Sequence, residues 1–273
     1  MMTVNPEIRI FEGLEPLSLA AAMHLAQQAK VKAVEITPFM VALSGGSTPK
    51  PLYELLGSPM FTGLLHWRNV HLFQVDERCV PPDDPQSNYR MIRQALLESA
   101  PFPEEDFNRM AAERPEVYTP LKKQYSIVEN FHRMAAERPD REQAAREYAE
   151  EMARVLLTPP GEWPRLDLVF LGMGADGHTA SLFPGSPALD ECTAWVVPTF
   201  VAKLDSFRLT LTLPVLNAAA HVIFLVAGAD KAETLRQVLE GPPGRFPAQL
   251  IQPTHGRLSW FLDESAAKML KRQ

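Results

Sequence analysis

Cysteine is nearly absent: the 273 residues include two, Cys79 and Cys192, and neither lies in a C-x-x-C pair. That excludes a disulfide framework and a cysteine zinc ribbon. Long apolar runs are missing too. Stretches such as Leu168 to Leu171 and Val222 to Ala227 fall far short of the ~20 residues of a membrane-spanning helix, and no charged-then-apolar leader opens the chain. A cytoplasmic protein is therefore expected. Positive charge is not in excess, since 27 Lys plus Arg stand against 33 Asp plus Glu for a net charge of −6. A basic surface for a phosphate backbone, and with it nucleic acid as a partner, is not expected. Glycine, at 14, is outnumbered by 25 prolines, which reverses the usual order and implies stiff loops. What remains is ordinary globular composition, 46% hydrophobic and 22% charged, in a chain long enough to bury roughly three quarters of its unfolded surface.

Within that composition two periods alternate. From Pro16 to Lys32, Leu19, Met23, Ala26 and Ala29 recur at three and four, the spacing of an amphipathic helix. A solid apolar run of strand length follows at Phe39 to Leu43, and Val70 to Val75, Leu166 to Leu171 and His221 to Ala227 also read as strands. Helices are expected over Ser87 to Glu98, Asp140 to Leu157 and Asp230 to Glu240. The pattern predicts an α/β protein, a Rossmann-like, mostly parallel sheet with helices on both faces. Its ligand site belongs at the carboxyl ends of strands, in the turns after Leu43, Val75, Leu171 and Ala227. A more alternating pair, Ala194 to Phe200 and Phe207 to Leu213, is expected as a half-exposed strand segment at the side of the sheet. No linker divides the chain, so a single domain over 1–273 is expected.

One repeat interrupts the pattern. Phe107 to Pro115 and Phe131 to Pro139 match at eight of nine positions with an offset of 24 residues. Two copies are too few for a solenoid, and a duplicated surface insertion at 107–130 is the simpler reading. The second copy runs directly into the helix from Asp140, so it is expected to pack its Phe and Met against the fold.

Three turns carry the polar chemistry. Ser44-Gly45-Gly46-Ser47-Thr48-Pro49 follows a strand; its glycines allow a close backbone approach, Thr48 is a candidate N-cap, and a helix start is a ready anion site. Gly172-Met-Gly-Ala-Asp-Gly177-His178 satisfies G-x-G-x-x-G literally, but Asp176 would sit where a pyrophosphate belongs, and no acidic residue falls ~20 positions on for a ribose. The better reading is a tight turn presenting Asp176 and His178, the carboxylate orienting an imidazole poised for proton transfer. Asp76-Glu77-Arg78 ends a third strand, with Arg78 suited to forked phosphate binding. Lys203, Arg208 and Lys231 are further candidate ligands. The remaining histidines show no paired spacing, so no metal site is expected.

Together these segments resemble the 6-phosphogluconolactonases, a branch of the sugar-phosphate isomerase and deaminase family. The likeness spans nearly the whole chain: Ala42 to Pro49, Phe73 to Arg78 with Ser87-Asn-Tyr89, Gly172 to Gly185, Arg208 to Thr212, and Trp260 to Asp263. It implies hydrolysis of 6-phospho-D-glucono-1,5-lactone to 6-phosphogluconate in the oxidative pentose phosphate pathway, without a cofactor, by a monomer or small homo-oligomer. It further implies His178 as catalytic base with Asp176 beside it. Gly45, Gly46, Ser47, Thr48, Asp76, Arg78, Lys203, Arg208 and Lys231 would bind substrate, the oxyanion falling to Lys203, Arg208 or backbone N–H groups. The sister activity, glucosamine-6-phosphate deamination and isomerisation, uses a glutamate at the position of Phe183.

Overall fold

The computed structural model describes residues 5–35, 37–62, 64–65, 67–98 and 130–271. The first copy of the repeat, 107–115, lies outside the described residues. In chain order the principal elements are β1 (Glu7–Phe11), α1 (Leu14–Val34), β2 (Phe39–Leu43), α2 (Lys50–Leu56), β3 (Val70–Gln74) and β4 (Asp76–Arg78). Then come α3 (Asn88–Ile92), β5 (Phe131–His132), α4 (Arg141–Leu156), β6 (Leu168–Gly172) and β7 (Val196–Val201). The rest are β8 (Ser206–Leu211), α5 (Leu213–Ala218), β9 (His221–Val226), α6 (Ala232–Glu240) and β10 (Arg257–Asp263).

Among the described residues seven strands form one sheet in the order β1-β10-β9-β6-β2-β3-β5, and every pair in it is parallel. Strand alternation splits the core in two. Phe39, Val41 and Leu43 of β2 join the cluster covered by α1 and α2, whereas Met40 and Ala42 join the one covered by α4, α5 and α6. Both faces are therefore buried, which is why β2 and β6 read as unbroken apolar runs.

Three details depart from the sequence reading. Helix α1 buries Ala26 and Ala29 as expected, but together with Leu17, Ala21, Ala22 and Leu25, while Leu19 and Met23 are exposed. The helix is so rich in alanine and other apolar residues that several stripes compete, and packing against α2, β2 and β10 decides. The alternating pair is not the side of the main sheet: β7 and β8 form a separate antiparallel sheet with β4, in the order β4-β8-β7. Asp76 to Arg78 are thus a short strand of the small sheet rather than the end of β3. Finally, β1 and β10, which the apolar-run criterion passes over, make up one edge of the main sheet.

The second repeat copy takes the seat expected of it. Phe131 and Met134 are buried, and Asp140 caps α4 by accepting from Gln143 N at 2.8 Å. Where the copies differ, Asn108 against His132, the second copy's side chain has specific partners: His132 lies 2.9 Å from Glu151 Oε1 and 3.0 Å from His71 Nδ1.

Candidate active site

The carboxyl ends of β2, β3 and β6 converge on a cleft of about 220 Å³. It is lined by the whole turn Ser44 to Pro49 together with Asp76, Arg78, His178, Arg208 and Lys231. Nine of the eleven residues singled out from sequence thus meet at one place; Asp176 and Lys203 stand behind His178 rather than in the lining. Thr48 lines the cleft but does not cap α2, whose cap position is Pro49 without a side-chain bond.

The turn after β2 is locked from below. Ser44 Oγ donates to Phe170 O at 2.9 Å, and Tyr53 OH donates to Ser44 O at 2.7 Å. Position 45 must be glycine because a Cβ there would fall 1.7 Å from Asn88 Oδ1. Asn88, which carried no role in the sequence reading, donates through Nδ2 to Asp76 O at 2.9 Å and to its carboxylate at 3.2 Å. Ser181 Oγ donates to the other Asp76 oxygen at 2.6 Å. Asp76 therefore ties the turn holding His178 to the start of β4.

Glu77 is buried and accepts five hydrogen bonds, from the N–H groups of Arg78, Asn88 and Tyr89, Ser87 Oγ and Gln74 Nε2. Burial raises its pKa, and those donors oppose the shift. The clamp pins the first turn of α3 against β4 and so places both Arg78 and Asn88. Periodicity gives no sign of it, because its donors come mostly from the backbone.

Arg78 and Arg208 face each other directly across the β4–β8 pair. Like charges in that relation repel, and Nε of each is buried without a hydrogen-bond partner. Burial and the Arg78 charge push the Arg208 pKa down, although Asp76 opposes this. Arg78 spends one Nη on Gln86 O, and two forked guanidinium groups lining one cleft fit an anion such as a phosphate.

His178 Nδ1 lies 2.5 Å from Asp176 Oδ1, and Lys203 Nζ binds the other oxygen of that carboxylate. Burial alone would raise the Asp176 pKa; the Lys203 and His178 hydrogen bonds outweigh it and hold the carboxyl down to about 2. An ionised Asp176 accepts a hydrogen bond from Nδ1–H and leaves Nε2 as the lone-pair nitrogen. Burial lowers the His178 pKa against the raising influence of Asp176, and Lys203 lowers it further. Gly174 allows the pairing, since a Cβ there would sit 2.2 Å from the imidazole. That close approach, not a dinucleotide, accounts for the middle glycine of the G-x-G-x-x-G string. The arrangement can take a proton from a water near an anchored anion.

A family described as glucosamine-6-phosphate isomerases/6-phosphogluconolactonase matches residues 14–260. The chain is similar to a 6-phosphogluconolactonase of Synechocystis, 40% identical over 233 residues that cover 85% of this chain and 84% of that protein. Among solved structures it is similar to the 6-phosphogluconolactonase of Trypanosoma cruzi, with a TM-score of 0.80, 28% identity and 99% of both chains covered. It also shares its fold with a monomeric glucosamine-6-phosphate deaminase, at a TM-score of 0.72 and 20% identity over 96% of this chain and 99% of that one.

Proposed function

The chain belongs to the glucosamine-6-phosphate isomerase and 6-phosphogluconolactonase family, and from that premise we propose that it hydrolyses 6-phospho-D-glucono-1,5-lactone to 6-phosphogluconate in the oxidative pentose phosphate pathway. The observation that carries the reading is His178, its Nδ1 on an ionised Asp176, in the same cleft as the opposed Arg78 and Arg208. The arginine pair, with Lys231 and the turn Gly45 to Thr48, takes the phosphate and orients the lactone. Nε2 of His178 removes a proton from water as its oxygen adds to the carbonyl carbon, and returns that proton to the ring oxygen as the C–O bond breaks. Lys203, engaged by Asp176, serves to keep that carboxylate ionised and in place. A lactone is an activated ester, so a positioned base and an anchored phosphate suffice without a serine nucleophile.

The same fold supports a deaminase, and Phe183 argues against that activity here. It packs on the imidazole at the position where the deaminase pattern carries a glutamate, so ring opening would lack a proton-transfer partner. Acid release from freshly generated lactone tests the proposal; ammonia release from glucosamine 6-phosphate, with no acid from the lactone, would overturn it. No helix of the described residues is long and apolar enough to cross a membrane. We place the enzyme in the cytoplasm, working as a monomer or small homo-oligomer on a freely diffusing phosphosugar.

A further inference from the structure

The loop after His178 turns back on itself within five residues. Thr179 and Leu182 form an isolated antiparallel bridge, Leu182 N donating to Thr179 O at 2.9 Å, and Ala180 between them is left-handed with φ 51°. A non-glycine residue in that region stores strain that the surroundings must hold. Here the fully buried Leu182 and the Ser181 hydrogen bond to Asp76 hold it. The product of the turn is a contact. The ring of Phe183 stacks on the imidazole of His178 with centroids 4.1 Å apart and planes 23° apart. Lys203 Nζ lies 4.5 Å and Arg208 Cζ 5.9 Å from the same ring.

We propose that Phe183 is a positioning residue for the hydrolysis: its π face fixes the plane of the His178 imidazole and stabilises the imidazolium formed when Nε2 takes the proton of the attacking water. The inference rests on the function proposed above. Once Nε2 is protonated, the ring carries a full positive charge between the Asp176 carboxylate on its Nδ1 edge and the electron-rich face of Phe183. Such a face attracts a cation, and stacking also denies the imidazole the rotation that would swing Nε2 away from the carbonyl. The other charged groups around the ring are Asp176 on its own turn, Asp76 at the start of β4, Lys203 on the β7–β8 turn, Arg208 on β8, and Arg78 and Lys231 in the cleft. Lys203 works against the imidazolium and Asp176 works for it. Phe183 adds a favourable contact without a second carboxylate.

The test compares Phe183→Leu and Phe183→Met, which keep apolar bulk without a π face, with Phe183→Tyr, which keeps the face. Folding of each is checked by circular dichroism. Leu and Met are expected to lower kcat about 5- to 10-fold with KM within about two-fold, while Tyr stays within about two-fold of the parent. The His178 ring is also titrated by NMR in the substrate-free protein, where the Leu or Met variant should hold its proton about two- to five-fold more weakly. Unchanged kcat and titration in a folded Leu or Met variant would overturn the proposal, as would equal losses with Tyr or an effect on KM alone. If only Met folds, its titration decides. Because the titration needs no substrate, it separates this inference from the reaction: a parent protein inert toward the lactone would refute the function and leave the Phe183 contact still measurable.

Discussion

At the scale of single residues the proposed mechanism divides the candidate site into groups that hold and a group that reacts. Among the described residues His178 is the one imidazole lining the cleft, so His178→Ala should lower kcat by about 100-fold or more, the usual worth of a general base. Steady-state kinetics on fresh lactone check this, and an undiminished rate removes His178 from the mechanism. Arg78 contributes differently. A ligand for a distant phosphate binds ground and transition states alike, so Arg78→Ala should raise KM and spare kcat. Its loss also relieves the repulsion from Arg208, so the folded protein should be no less stable to heat; a fall in kcat at unchanged KM would place Arg78 at the reacting end instead.

At the scale of elements, the short strand β4 is where the two sheets are joined to the site. Val75, just before it, donates its N–H to Leu43 O at 3.0 Å and accepts from Leu211 N at 2.9 Å, so the chain crosses there from the main sheet to the small one. The repeat belongs to this scale too. We propose that residues 107–130 are an inserted duplicate of a segment whose working copy is Phe131 to Pro139. The buried Phe131 and Met134 and the His132 contacts support this choice of copy. Deleting 107–130 rejoins the chain through an equivalent sequence, and loop length enters stability only logarithmically. The shortened protein should remain soluble and keep lactonase activity within about two-fold, readable from one expression trial and one assay; insoluble or inactive protein contradicts the proposal.

At the scale of the molecule, burial lowers the pKa of four histidines, His24, His71, His132 and His221, that of His221 down to about 3. Their folded pKa values lie below the ordinary 6.5, so the unfolded chain binds more protons as pH falls through 6.5. Stability is therefore complete above about pH 7 and is lost below it. For His221 alone the loss between pH 7.5 and 5.5 is about 1.4 kcal/mol. Urea midpoints at those two pH values should show the decline, and His221→Asn should flatten it; a midpoint independent of pH would show that these histidines are solvated. Sequence by itself determined the layered α/β plan and, for the most part, which residues would line the candidate cleft. A buried parallel strand is apolar on both faces and so announces itself, as at Phe39 to Leu43 and His221 to Val226, and the turns that follow such strands are where ligands bind. It also determined the Asp176–His178 pairing, whose members are two positions apart. Only the tertiary structure decided which stripe of α1 faces inward, that β4, β7 and β8 form their own sheet, and that β1 and β10 complete the main one. It alone set Arg78 against Arg208, Ser181 and Asn88 on Asp76, and Lys203 on Asp176. Those relations join residues up to 130 positions apart, as with Arg78 and Arg208, and strand pairing and side-chain reach, which leave no period in the chain, are what bring them together.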